Sequence, residues 1–214
     1  MNARDRILGR IRDAQSRARP GMQAESIASH LGNHPRGPLP PPMDNLVERF
    51  KERAIKLSSN VMETSNRMEV PRLLARYLSE QKLPMRGVCW PSLAGLPWSA
   101  AGLEMQSRPA TDHDMVGVTG AFCAIAETGT LMLLSGAETP ATTSLLPETH
   151  VSVVDPRRIV ATMEDAWDLM RKECKQPPRA VNFISGPSRT ADIEQTVTLG
   201  AHGPYRVLLI LAPL

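Results

Sequence analysis

The sequence predicts an α/β fold: a mostly parallel central sheet flanked by helices, behind a flexible amino-terminal helical arm. Three observations carry this. Short apolar runs alternate with amphipathic helical stretches along most of the chain. The last run, residues 207–211, is five apolar residues without polar alternation, and a strand lacking a polar face is buried on both sides, as in a parallel sheet covered by helices. With 214 residues, 42% of them hydrophobic, the chain can bury a core, yet no stretch approaches the roughly eighteen consecutive apolar residues of a membrane span.

Residues 1–42 are expected to form the arm and its linker, and residues 43–214 the α/β domain. Ile7, Leu8, Ile11, Ala14 and Ala18 give an apolar stripe at helical spacing. Six arginines against Asp5 and Asp13 make residues 1–19 basic, with a net charge of +4. The stripe reads as a docking helix for a partner or a neighbouring subunit. A membrane-surface helix would carry aromatic residues, and a transit peptide would lack the two aspartates. No secretory apolar region is present, so the expected address is the cytoplasm. Residues 20–42 lose periodicity and carry five prolines between 34 and 42, which predicts an extended connector.

Asp44 is the expected N-cap of a helix whose stripe is Leu46, Val47, Phe50, Ala54 and Leu57. Residues 60–64 fit a strand. Val70, Leu73, Leu74, Tyr77 and Leu78 mark a helix that tolerates Pro71 in its first turn. Residues 87–90 read as a buried strand and residues 91–111 as a loop. Residues 116–126 and 130–134 read as two strands joined by a tight turn, and residues 151–154 as another. Thr162 and Asp165 form a capping-box pattern before the stripe Met163, Ala166, Trp167, Met170 and Cys174. Residues 181–185 fit a strand leading into a helix near 191–199.

Charge and cysteine content exclude whole function classes. Beyond residue 19 the chain carries 19 basic and 20 acidic groups, so the body lacks the basic face that a nucleic-acid backbone demands. Cys89, Cys123 and Cys174 stand 34 and 51 residues apart, which fits neither a zinc knuckle nor a four-cysteine cluster site. No metal site and no cofactor are expected on this chain.

Two polar clusters interrupt the buried runs. In the first, Glu127, Thr128, Gly129 and Thr130 sit between strongly apolar segments, where an unpaired carboxylate is expensive to bury. Glu127 is the candidate catalytic residue; the alternative is a turn carboxylate that ties the corner together, with Gly129 supplying an awkward φ. In the second, Ser185, Gly186, Ser188, Arg189 and Thr190 form a glycine- and hydroxyl-rich bend, followed by Asp192 and Glu194. Such a bend before a helix can cradle an anion, with Ser188 and Thr190 receiving a carboxylate and Arg189 adding charge. Plain helix capping is the competing reading, because Asp192 and Glu194 already complement the helix dipole. His202 is a lesser candidate at the start of the last strand. Hydroxyls in residues 139–144 offer a further pocket lining.

The run Gly120-Ala-Phe-Cys-Ala-Ile-Ala-Glu-Thr-Gly-Thr130, then Ser144-Leu-Leu-Pro147 with His150, then Ile184-Ser-Gly-Pro-Ser-Arg-Thr-Ala-Asp-Ile-Glu194 and His202-Gly-Pro204 resembles the LUD domain. More narrowly, it is similar to the lactate utilisation protein C (LutC/YkgG) family. The resemblance is strong over residues 112–214, softer over 44–111 and absent from the arm. It implies a fold like that of the NagB/RpiA/CoA-transferase group and a part in bacterial L-lactate oxidation to pyruvate. The family works in an operon-encoded set whose other members carry cysteine-rich and iron–sulfur modules, so iron–sulfur clusters are expected in partner proteins. The implied role is a non-redox, small-anion-binding or assembly subunit beside those partners. The alternative is a stand-alone CoA-transferase/isomerase-like enzyme using Glu127, because Glu127 and Gly129 match the Glu-x-Gly of CoA transferases.

Overall fold

The computed structural model describes residues 3–18, 24–33, 36–190, 198–200 and 202–213. The chain divides into one unit of residues 1–39 and another of residues 40–214. In the first, α1 (Ala3–Ala18) leaves Ile7, Leu8 and Ile11 exposed along its stripe. A second helix, α2 (Ala24–Asn33), occupies residues for which the sequence predicts an extended connector. The proline cluster begins only at residue 35, and Ala24, Ile27, Ala28 and Leu31 keep helical spacing between Pro20 and that cluster.

The second unit begins with α3 (Leu46–Lys56), β1 (Asn60–Glu63), α4 (Val70–Glu80), β2 (Arg86–Cys89), β3 (Glu104–Ser107), β4 (Val116–Gly120), β5 (Cys123–Ile125) and β6 (Thr130–Leu134). It continues with α5 (Thr142–Leu145), β7 (Thr149–Val154), β8 (Ile159–Val160), α6 (Met163–Glu173), β9 (Val181–Ile184), β10 (Arg189–Thr190), β11 (Thr198–Leu199) and β12 (Arg206–Leu211). Six of these strands form a wholly parallel sheet in the order β1-β12-β7-β4-β2-β3. A smaller mixed sheet runs β8-β5-β6-β9, and β10 pairs antiparallel with β11.

Hydrophobic burial stacks these pieces in layers. Val116, Val118, Val151, Val153, Leu208 and Ile210 line one face of the parallel sheet and pack on Val70, Leu74, Tyr77 and Leu78 of α4. Leu209 and Leu211 point the other way, onto Phe50 and Ala54 of α3 and onto Ala124, Leu131 and Leu133 of the smaller sheet. α6 covers the outside of that sheet through Ala166 and Met170 against Cys123, Ile125 and Met132. Each fully buried Leu, Ile or Phe contributes about 1.5–3 kcal/mol, so the sheet centre anchors both layers. Among the described residues no helix is long and apolar enough to cross a membrane.

Local signals set the element ends. The Asn45 side chain, not Asp44, caps α3 by accepting from the Glu48 N–H at 3.1 Å. Pro71 sits in the first turn of α4, where its missing N–H has no intrahelical partner to lose. Thr162 and Asp165 form the full reciprocal capping box of α6.

Three further expectations change. The apolar run at 116–126 is two strands in different sheets, because the chain leaves the parallel sheet after Gly120 and the Phe122 N–H donates to Met132 O instead. β3 lies in the predicted loop; it is an edge strand with β2 as its one partner and needs no apolar face. Thr198 and Leu199, predicted as the end of a helix, are a strand paired with Arg189 and Thr190. The remainder of that predicted helix, residues 191–197, lies outside the described residues, and with it Asp192 and Glu194.

Candidate functional site

At the carboxyl ends of the parallel strands, the order reverses direction between β4 and β2. The chain leaving β2 goes on to β3 at one edge, while the chain leaving β4 goes on towards β7. Ligands of open α/β sheets bind at such a crevice. A cavity of about 260 Å³ opens there, walled by Trp90, Phe122 and Leu134 with the hydroxyl residues Ser92, Ser135 and Thr139. The Trp90 indole N–H donates to Pro140 O at 3.2 Å, and the Thr139 hydroxyl to Leu134 O at 2.7 Å. Thr139 comes from the hydroxyl stretch the sequence singles out; the rest of this cavity does not show in the sequence, because four separate segments build it. Among the described residues no charged side chain lines it.

The acid corner lies at the far end of the β5–β6 hairpin, about five residues and roughly 17 Å along the strand from Phe122. Its two predicted clusters meet. The Thr128 hydroxyl donates to Thr130 Oγ1 at 2.8 Å, and Thr130 Oγ1 and Ser185 Oγ share a hydrogen bond of 2.6 Å. Both clusters press on the second half of α3. Gly129 has φ +69°, and a Cβ on it would lie 2.6 Å from Ala54 N. Gly186 has φ +78°, and a Cβ there would lie 2.2 Å from Leu57 O. Glu127 is half-buried; its N–H donates to Ala161 O, and its carboxylate makes no hydrogen bond or ion pair among the described residues.

The rest of the bend is tied down. Arg189 donates to Leu57 O at 3.3 Å and to Ser58 Oγ, so its charge sits on the carbonyl-rich end of α3 and complements the helix dipole. The Ser188 N–H donates to Pro204 O, and its carbonyl accepts from the Gly200 N–H. Thr190 pairs with Thr198. The bend therefore lies beside the amino end of β12, on the side opposite the carboxyl-end cavity.

A second cavity, about 370 Å³, opens at this amino-end rim and is lined by Leu146, Glu148, Gly200, Gly203, Tyr205 and Arg206. Gly203 adjoins Ser188, whose Cβ would be 3.3 Å from a Cβ placed on the glycine. His202 beside it is exposed. The Arg206 guanidinium lies 5.0 Å from the Tyr205 ring centroid, donates to Thr149 Oγ1 at 3.3 Å and stands 3.6 Å from the Glu148 carboxylate. The sequence carried one signal for Arg206: a lone cation at the entrance to an otherwise apolar strand.

Elsewhere, Arg108 clamps Asp114 in a two-pronged ion pair at 2.7 and 2.8 Å, which holds that carboxyl down at about 2, while Asp112 and His113 stand in solvent. Cys89 and Cys123 are buried and Cys174 half-buried. Burial pushes the Cys123 thiol up to about 12. Among the described residues no three His, Cys, Asp or Glu side chains gather as a metal site.

His150 is fully buried on β7, with Nε2 2.8 Å from Thr119 Oγ1, and burial pushes it down to about 4. Its register neighbours Gly117 and Val207, and α5 above it, bring no charge. The unfolded chain takes up a proton near the ordinary histidine value of about 6.5, and the folded chain resists until about 4. Stability is thus complete above pH 6.5 and falls towards pH 4, by on the order of 3 kcal/mol. Urea midpoints measured across that window should fall for the wild type and fall less for His150→Gln; parallel curves would refute this assignment.

Comparison with known proteins gives concordant matches. Residues 98–212 match the LUD domain family. Lactate utilization protein C of Bacillus subtilis is 30% identical over 190 residues, covering 78% of each chain. Lactate utilization protein C of Anoxybacillus flavithermus is 36% identical over 102 residues, 48% of this chain and 46% of that one. A crystal structure of a DUF162 family protein from Deinococcus radiodurans superposes with a TM-score of 0.61 at 23% identity, covering 80% of this chain and 99% of that one, and so shares the fold.

Proposed function

Because the chain belongs to the LUD domain family, we propose that it serves lactate utilisation as a non-redox subunit that binds a small carboxylate, beside cysteine-rich and iron–sulfur proteins that oxidise L-lactate to pyruvate in the bacterial cytoplasm. The observation that carries this reading is the match, along most of both chains, to a relative named for lactate utilisation. Oxidising lactate to pyruvate removes two electrons, and the three thiols here, two of them buried in separate layers, do not form a ligand set for a cluster. The electrons then pass to partners. Lactate and pyruvate share a carboxylate, which a guanidinium binds with charge-assisted hydrogen bonds. Arg206 presents that group in a cavity of suitable size, with Ser188 close by. Arg189 is already committed to α3. The exposed stripe of basic α1 supplies a docking face for the partners.

Reconstitution tests the division of labour. With L-lactate, the purified chain alone should leave an artificial electron acceptor unreduced, and adding the partner proteins should restore reduction. Deleting residues 1–19 should abolish the restoration. Reduction by the chain alone, or full activity without the arm, would contradict the respective part.

One observation favours the enzymatic alternative: the half-buried Glu127 carboxylate makes no hydrogen bond or ion pair among the described residues, beside a chain of three hydroxyls. A nucleophile or general base needs that freedom. On that reading Glu127→Gln folds normally and abolishes growth on L-lactate; full growth of the variant disposes of it.

A further inference from the structure

The face that β4 and β7 turn towards α5 is polar in the middle of the protein: Gly117 and Thr119 on one strand, His150 and Ser152 on the other. Central parallel strands are ordinarily apolar on both faces. Thr119 and His150 are 0% exposed and share their 2.8 Å hydrogen bond there. A hydroxyl beside a neutral imidazole has the parts of an activated nucleophile, but neither side chain meets solvent, so no substrate reaches them in this fold. Hydrogen-bond accounting leads elsewhere.

Thr119 has one hydroxyl proton. If it donates to Nε2, the neutral ring carries its own proton on Nδ1. Among the described residues Nδ1 has no partner, and neither has Thr143 Oγ1, also fully buried. The other hydroxyls nearby are engaged: Ser144 donates to Ala141 O and Ser152 to Gly120 O. The residues that carry the two orphans come from adjoining elements. Gly117 is the register partner of His150, and a Cβ on Gly117 would lie 2.1 Å from Thr143 O, so α5 packs directly on the strand beside His150.

We infer that β4, β7 and α5 enclose a binding site for one water molecule. The His150 Nδ1–H donates to it, and it donates to Thr143 Oγ1. Leaving both orphans unmade costs the full desolvation of two buried polar groups, whereas a buried water with two or more polar partners removes that cost. The water ties α5 to the sheet. The residues just before α5 include Thr139, which walls the carboxyl-end cavity, and Pro140, which accepts from Trp90.

Nitrogen NMR of the full chain at neutral pH should show His150 neutral and protonated on Nδ1, with a cross-relaxation peak between that proton and water. A high-resolution crystal structure should place one water within hydrogen-bond distance of Nδ1 and Thr143 Oγ1, and Thr143→Val should lose it while remaining folded. A proton on Nε2, a dry cell, or a water unchanged in Thr143→Val would overturn the inference.

Discussion

Gly129→Ala is expected to destabilise the protein by about 2–5 kcal/mol, two penalties acting together. At φ +69° an L side chain occupies the left-handed region, at a cost of roughly 1–2 kcal/mol. The added Cβ would also lie 2.6 Å from Ala54 N and 2.7 Å from both the Arg53 carbonyl carbon and Arg53 Cβ. Two of those atoms are backbone inside α3, so neither can swing aside, and forcing a methyl into a packed site costs about 1–3 kcal/mol more. The displacement would pull Thr130 from Ser185 and loosen the hairpin from the helix. Urea unfolding reads the loss directly. Gly95→Ala, where a Cβ meets nothing within 4 Å, is the control and should change little. A Gly129→Ala midpoint matching the control would mean that the hairpin is not held against α3 as described.

The fold was legible where one local pattern has one physical meaning. Thr162 and Asp165 announced the start of α6, and the unbroken apolar run at 207–211 announced a strand buried on both faces in a parallel sheet. Legibility failed where two structures share one pattern. Residues 116–126 carry no charge and one polar side chain, Thr119, and nothing local tells the chain to change sheets after Gly120. β3 is polar because an edge strand can be. At the site, the hydroxyls and glycines of the bend were visible, but their neighbours were not. The Thr130–Ser185 contact spans 55 residues, and the carbonyl end of α3 that Arg189 meets lies 131 and 132 residues earlier, so the bend alone points to an anion. Arg206 stands alone in the sequence, and only the fold sets it in a cavity beside Tyr205 and near Ser188.

Arg206 also carries the claim on which the functional account depends. Charge-assisted hydrogen bonds from a guanidinium to a carboxylate contribute about 1.5–3 kcal/mol, so Arg206→Gln should weaken binding at least about tenfold. Glu148, 3.6 Å away, competes for the same group, so Glu148→Gln should keep binding or tighten it. The direct measurement is calorimetric titration of the purified chain with L-lactate and with pyruvate. The account predicts saturable binding by the wild type, retained in Glu148→Gln and lost in Arg206→Gln. No heat from the wild type, or the same affinity in Arg206→Gln, would contradict a carboxylate site at this rim.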